Sequence, residues 1–329
     1  MQDLLADSMR HLLATHCGPA AVRAIEAGGD TAPLWARIEE SGFLDALSAE
    51  ADGGAGLRLD EIFSIVFECG RHALPAPFAA TLFVRALGRA AGIAVPAGAI
   101  AIAGVCTETS SGVIACARVP FGRVADWVLV DDELLPAAAA QCFPAGGAGS
   151  VDANMTWQAG RAGTALAIAA DERMAIGACT TAALLAGALE RVFEMSVAYA
   201  NERSQFGKPI GKFQAIQQQL AVMAEQVFAA RMAAQIGFAG AGSAPDPLRA
   251  AVAKERTSAV VAEVAAIAHA VHGAIGFTAE YDLQLYTRRL HEWRMAYGAE
   301  NIWRQRLGAA ALAAHSASSL EFVRERLMA

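Results

Sequence analysis

The stretch Tyr199–Met223, YANERSQFGKPIGKFQAIQQQLAVM, decides how this chain is read. It has the texture of a helix end, a tight polar turn and the start of a second long helix. Gly207 and the run Pro209-Ile210-Gly211 interrupt the helical pattern, because glycine and proline punctuate regular structure. Beyond the interruption Phe213, Ile216, Leu220, Met223 and Val227 recur at three- and four-residue steps, the buried stripe of a packed helix. Arg203, Lys208 and Lys212 crowd into the turn of a protein whose formal charge is −7. Such a turn can be an ordinary solvated loop, since connections run over the surface. It can also seat a phosphate-bearing ligand, since arginine and backbone N–H groups both suit phosphate oxygens.

Composition narrows the field around that turn. The chain has 329 residues, 55% apolar and 18% charged, enough to bury a substantial core and unlike a disordered segment. Much of the apolar share is alanine, so a mainly helical protein is expected. No run of eighteen strongly apolar residues and no signal peptide are visible, and the opening MQDLLADSMRHLLATHC is amphipathic and carries acids. A soluble, cytoplasmic protein with no membrane partner is the expectation. The acidic balance argues against a nucleic-acid partner, which needs a broad basic surface. Cys17, Cys69, Cys106, Cys116, Cys142 and Cys179 lie apart without a C-x-x-C pair. They read as reduced, mostly buried thiols rather than a disulfide frame or a zinc site.

Along the chain, three textures follow one another. Residues 1–95 read as a helical domain, with one apolar face from Leu4, Leu5, Met9, Leu12 and Leu13 and a short helix at Leu34, Trp35 and Ile38. Asp52-Gly53-Gly54-Ala55-Gly56 is a loop, weak as a phosphate motif because no strand precedes it. Asp60 stands where the N-cap of the next helix belongs. Residues 96–170 form a small β domain, with short apolar runs at Ile100–Val105, Val113–Ala115, Trp127–Val130 and Ala165–Ala169. Residues 171–329 form a C-terminal antiparallel four-helix bundle, predicted over Glu172–Asn201, Lys212–Ala239, Pro247–His272 and Asn301–Ala314. A Gly240–Asp246 linker separates the second helix from the third, and a short terminal helix is expected in SSLEFVRERLMA. The fold class is mainly α with a small central β domain.

ERSQFGKPIGKFQAIQ resembles the signature turn of the acyl-CoA dehydrogenase family, where Arg-x-x-Phe-Gly precedes a Phe-Gln that starts the next helix. Val271–Arg289, VHGAIGFTAEYDLQLYTRR, resembles that family's His-Gly-Gly-x-Gly-(Phe/Tyr)-Thr segment, and ESGFLDALSAEADGGAG with ALPAPF is similar to its N-terminal helices. The resemblance implies FAD lying across a subunit interface, its pyrophosphate held by a neighbouring chain's arginine. Here that arginine is Arg203, with Phe206 beside it and Phe213 and Gln214 near the adenine end. Gly273 and Gly276 imply close backbone approach to the cofactor. Two positions depart from the pattern: its glutamine is Ala270 and its second glycine is Ala274. His269 and His272 stand three apart, but no carboxylate or cysteine completes a metal set, so core or turn histidines are the better reading.

The resemblance also implies a reaction in which a carboxylate takes the α-proton of an acyl-CoA while the β-hydrogen leaves as hydride to the flavin. The base position, aligned on Gly298, is held by Tyr297, a phenol with an ordinary pKa near ~10. No catalytic residue is therefore assigned. Ala299 replaces a hydroxyl residue, the alternative base site falls at Ile176, and Glu172 and Glu300 are the nearest acids. No Trp-x-(Ser/Thr) strand is found, and Trp127 reads as ordinary core. The lending arginine is intact while the chain's own pocket is eroded. That asymmetry fits a non-catalytic subunit whose companion dehydrogenase chain brings the base and acyl pocket. Such mixed assemblies act on steroid side-chain thioesters in the family, and an electron-transferring flavoprotein is the usual acceptor. The alternatives are a self-sufficient homo-oligomer with Glu300 as a relocated base and a helical scaffold without redox chemistry.

Overall fold

The computed structural model describes residues 2–240, 242–314 and 318–327. Five helices open the chain: α1 Gln2–His16, α2 Pro19–Glu26, α3 Ala32–Glu40, α4 Leu59–Arg71 and α5 Phe78–Ala90. Eight strands follow: β1 Ile100–Ile102, β2 Cys106–Glu108, β3 Ile114–Val119, β4 Trp127–Val130, β5 Glu133–Pro136, β6 Gln141–Pro144, β7 Ala153–Trp157 and β8 Thr164–Ala165. The long α6, Ala170–Glu202, leads into a hairpin of β9 Ser204–Gln205 and β10 Lys208–Pro209. Then come α7 Gln214–Gly237, α8 Pro247–Ala259, α9 Val261–His272, α10 Leu283–Met295, α11 Glu300–Ala313 and α12 Ser319–Arg326.

The strands form two four-stranded sheets, β1-β4-β5-β8 and β2-β3-β7-β6, in which only β1 and β4 run parallel. The sequence signals found β1, β3, β4 and β8 and missed the edge and hairpin strands β2, β5, β6 and β7. Trp127 is half-buried on β4 and its indole N–H donates to Ala97 O at 3.1 Å, a structural role as expected. The antiparallel β2–β3 register sets Cys106 opposite Cys116, and the two form a disulfide. This corrects the reading of all six cysteines as thiols: a ten-residue spacing folded into a hairpin brings the pair together, which spacing alone does not reveal. Cys17, Cys69 and Cys179 are buried free thiols, and Cys142 is exposed.

α6 is buried without a break from Ala175 to Leu189, the pattern of a helix surrounded by protein on all sides. It packs on α4, α7, α8, α9 and α10. Its apolar length would also span a membrane, as would that of Pro247–Phe277, because alanine-rich core helices meet that test too; most of the α6 window is buried inside the protein. The expectation concerned an unbroken run of eighteen strongly apolar residues, and the charge-free stretch of α6, Met174–Leu189, is shorter than that. α4 and α6 meet backbone to backbone: a methyl on Gly70 would overlap the Leu184 carbonyl, and one on Gly187 would overlap the Phe67 carbonyl.

Other boundaries moved for identifiable reasons. Arg58, not Asp60, caps α4; Asp60 sits in the first turn and pairs with Arg58 at 2.8 Å. Leu4 is exposed, so the α1 core face rests on Met9 and Leu13. α2 went unpredicted although Gly18-Pro19 is a good helix start, proline being tolerated at the first position. The predicted helix over Pro247–His272 breaks at Val260 into α8 and α9, where the Thr257 hydroxyl donates back to Ala253 O at 2.8 Å. Such back-bonding bends helices. Asp246 in the predicted linker N-caps α8, accepting from Leu248 N and Arg249 N; Ala241 lies outside the described residues. The fourth helix packed on α6 is α10 rather than the predicted Asn301–Ala314 segment, and α11 lies outside it on α8. The terminal helix forms as α12, with Met328 and Ala329 outside the described residues.

Gly187→Ala should lower unfolding stability by about 1–3 kcal/mol or more, since a rigid backbone cannot yield to the new methyl. Gly308→Ala, on α11 with nothing within 4 Å of the added carbon, should raise it by about 0.5–1 kcal/mol. Denaturant midpoints of the two variants moving in the same direction would contradict this account of helix packing.

Candidate functional site

At the C-terminal end of α6 the chain turns through Phe206 and Gly207, both with positive φ (52° and 79°). This is the requirement of a two-residue hairpin turn that matches strand twist. Gly207 adopts it without strain, whereas Phe206 does so with a ring that is 91% exposed and set edge-on to Phe213 at 6.1 Å. Lys208 lies over the Phe213 ring at 4.4 Å. α9 ends nearby at Gly273, whose φ of 62° and ψ of −144° only glycine holds readily.

These two helix ends enclose one cavity of about 550 Å³, lined by Tyr199, Arg203, Gln205, Phe206, Ile210, Phe213, Ile216 and the run Ala270–Ile275. Of the residues singled out from the sequence, Arg203, Phe206, Phe213 and Gly273 come together here. Gln214 is exposed on the first turn of α7, outside the lining, and Gly276 is buried below it, packed within 3.0 Å of where its Cβ would meet His272. Among the described residues the Arg203 guanidinium makes no hydrogen bond or ion pair. Beneath it His272 stacks on Tyr199 at 4.6 Å and contacts Tyr281 at 5.2 Å; its Nδ1 lies 2.8 Å from Ala268 O, while its buried Nε2 has no partner. Burial lowers the His272 pKa, and burial with His291 lowers that of His269, which stacks on Phe277. The two imidazoles thus turn to different aromatic partners rather than to one ion. Tyr199 was missed from the sequence, although it stands one helical turn before Arg203 and therefore on the same face.

A second region lies near the other end of α6. Tyr297, held at φ 55°, lays its ring against Gly177, where any side chain would overlap it, and its hydroxyl donates to Ile102 O at 2.9 Å. Burial raises its pKa above the ordinary phenol value. The space left among Pro77, Phe78, Ile102, Phe121, Thr180, Thr181 and Tyr297 is about 20 Å³, room for about one water molecule. Glu300 is paired with Arg294 through both carboxylate oxygens, and the Arg294 hydrogen bond holds its pKa below the usual glutamate value. A general base at neutral pH needs the opposite shift. Ile176 is fully buried.

The loop carrying Tyr297 is anchored by Lys254. Its buried ammonium donates to Ser258 Oγ at 2.9 Å, Trp293 O at 2.7 Å and Arg294 O at 2.9 Å, closing the last turn of α10. Burial pulls its pKa down to about 7, against the opposing pull of Glu300.

The helical ends and the small β unit between them define the fold of the flavoprotein dehydrogenases of acyl thioesters, here with one open cavity and one nearly filled one. The chain matches the family model "Acyl-CoA dehydrogenase, C-terminal domain" over residues 166–312. It is 32% identical to the acyl-CoA dehydrogenase IpdE2 of Mycobacterium tuberculosis, across 88% of this chain and 91% of that protein. Among solved structures it resembles a chain of the ChsE4-ChsE5 complex from Mycobacterium tuberculosis, with TM-score 0.81 at 20% identity over 96% of this chain and 98% of the other. It also resembles the Tcur3481-Tcur3483 steroid ACAD G363A variant, with TM-score 0.80 at 23% identity over 95% of this chain and 99% of the other. The chain belongs to the acyl-CoA dehydrogenase family.

Between its folded pKa of about 7 and the ordinary 10.5, Lys254 binds fewer protons in the folded than in the unfolded chain. Stability should therefore rise with pH across that window, by up to one proton's worth of slope. Lys254→Met should remove the rise; parallel pH profiles for wild type and variant in denaturant unfolding would count against a depressed lysine.

Proposed function

We propose that this chain is the partner subunit of a hetero-oligomeric, FAD-dependent acyl-CoA dehydrogenase. It lends Arg203 to a flavin whose base and acyl pocket belong to a companion chain. The observation that carries this reading is Tyr297 sealed over Gly177, which leaves no acyl cavity and no carboxylate at the base position.

The residues at the other end of α6 fit the lending role. An unpartnered guanidinium can fork onto two pyrophosphate oxygens. Phe206 and Phe213 offer ring faces or edges to a flat cofactor, Gly273 leaves the backbone open to close approach, and His272 Nε2 lacks a partner. Gln214 and Gly276 support those contacts from the helix start and from below. Gly177 and Arg203 are 26 residues apart on one helix, about 39 Å at ~1.5 Å per residue. The open cavity and the sealed one are therefore separate places, and a cofactor at Arg203 would reach its reactive base through a neighbouring chain. The bound flavin would supply the hydride acceptor. This chain's part would be to hold the phosphates, exclude water from the nucleotide end and orient the cofactor toward its companion.

The substrate class that best fits is an acyl-CoA of a bulky, steroid-derived acid, by likeness to a solved steroid dehydrogenase pair, with an electron-transferring flavoprotein as acceptor. Self-sufficient catalysis through Glu300 has little support, because Arg294 holds that carboxylate ionised and engaged.

Purified alone, the chain should be colourless and inactive; co-purified with its companion it should be yellow and active. In that complex Arg203→Ala should weaken FAD binding about 10- to 100-fold, the worth of a charged hydrogen bond of about 1.5–3 kcal/mol. Tyr297→Glu should not create activity in the isolated chain. An active, flavin-loaded homo-oligomer would overturn the proposal.

A further inference from the structure

The cleft between the β sheets and α10 is lined by Arg118, Gly147, Ala148, Arg288, His291, Glu292, Arg294 and Met295, and its volume is about 380 Å³. We propose that it is a second anion site, which takes a phosphoryl group of a small ligand with Arg118 as principal donor. It shares no lining residue with the cavity at Arg203, so the inference does not rest on the function proposed above.

Arg118 is delivered there by a deliberate irregularity. The β3–β7 register shifts between Cys116 and Val119, and Arg118 sits in the shift at φ 47°. A long side chain in the left-handed region is strained, and bulges of this kind re-aim side chains next to functional sites. The strained backbone is held by the Arg118 N–H donating to Asn154 Oδ1 at 2.9 Å. The result is an exposed guanidinium that, among the described residues, has no hydrogen bond or ion pair.

The opposite wall is one face of α10: Arg288, His291, Glu292 and Met295 recur at helical steps of three and four. Arg288 is fixed by Glu26 at 2.6 Å and by the Ala148 carbonyl, and Arg294 by Glu300, so both guanidinium groups stand in place before any ligand arrives. The sole carboxylate in the lining, Glu292, turns to Arg289 at 3.0 Å. Arg118 is thus the uncommitted cation of the lining, beside two arginines that carboxylates hold in place, in a chain of net charge −7. Donors converging from a strand and from a helix suit a group with three acceptor oxygens better than a carboxylate with two. The volume is within the range of small-molecule pockets.

Arg118→Gly separates this role from a structural one, because glycine relieves the backbone strain while removing the guanidinium. Calorimetric titration with pyrophosphate and with ADP, carried out on the Arg203→Ala chain so that the other phosphate-binding arginine is absent, should show binding that adding Arg118→Gly weakens at least tenfold. The melting temperature of Arg118→Gly should equal or exceed that of the wild type. Equal affinity for the two probes would mean that the phosphoryl group alone is recognised, and tighter ADP binding that a nucleotide is. Absence of binding to either probe in the Arg203→Ala chain, or full affinity after Arg118→Gly is added to it, would overturn the proposal.

Discussion

The backbone contact between α4 and α6 sets the terms for everything else in the chain. Gly70 and Gly187 let two helices approach until carbonyl and Cα meet, closer than any side chain would permit. Helix packing at that range leaves no room for another group at the contact itself. α6 runs on through the middle of the molecule as a strut packed on α4, α7, α8, α9 and α10. Gly177 stands near one end of that strut, under Tyr297, and Arg203 emerges at the other. One rigid element thus carries both a sealed place and an open one.

Charge as well as apolar burial ties α10 to this frame: Leu283, Leu285, Leu290 and Trp293 sit in the core, and an ion-pair network surrounds them. Arg289 is 1% exposed and pairs with Glu26 of α2 and Glu292 of its own helix, both at 3.0 Å, while Arg288 reaches Glu26 as well. Arg23 adds an ion pair to Asp282 at 2.7 Å. Buried pairs of this sort contribute little net stability, because desolvation offsets their attraction, yet removing one partner is costly. Their effect is positional: α10 can dock in one register only, and the Tyr297 loop that follows it inherits that register. Asp152, buried near Glu292, has its carboxyl pushed up to about 6 by burial and by that neighbour.

The same network explains what could and could not be read from the sequence. The stripe Phe213, Ile216, Leu220, Met223 and Val227 announced α7, and the Arg-x-x-Phe-Gly turn announced the hairpin, because both signals are local. α10 escaped notice since Arg289 and Glu292 occupy core positions where a periodic pattern expects apolar residues. The Cys106–Cys116 pairing escaped because it depends on a hairpin register. Arg203, Phe206 and Phe213 were legible as a cluster, close in sequence as they are in space. Their meeting with Gly273 and His272, some seventy residues later, depends on how α7 and α9 pack, and only the resemblance hinted at it. Arg118 carried no sequence signal at all, since its distinction is a backbone angle.

On the function proposed above, Tyr297 shows why loss of a base cannot be judged from one substitution. A phenol in place of a carboxylate removes the proton acceptor, but by itself leaves open whether another acid has moved in. The surrounding contacts close that possibility from several sides. The hydroxyl is spent on Ile102 O, the ring occupies the volume above Gly177, and Lys254 clamps the carbonyls that lead into the loop. The nearest acid on the following helix, Glu300, is bound to Arg294. Several of these contacts, those of Lys254 and Arg294, do not involve the Tyr297 side chain, so restoring one carboxylate would leave the loop fixed. The closed end is held by these contacts, while at the open end the Arg203 guanidinium, among the described residues, makes no hydrogen bond or ion pair.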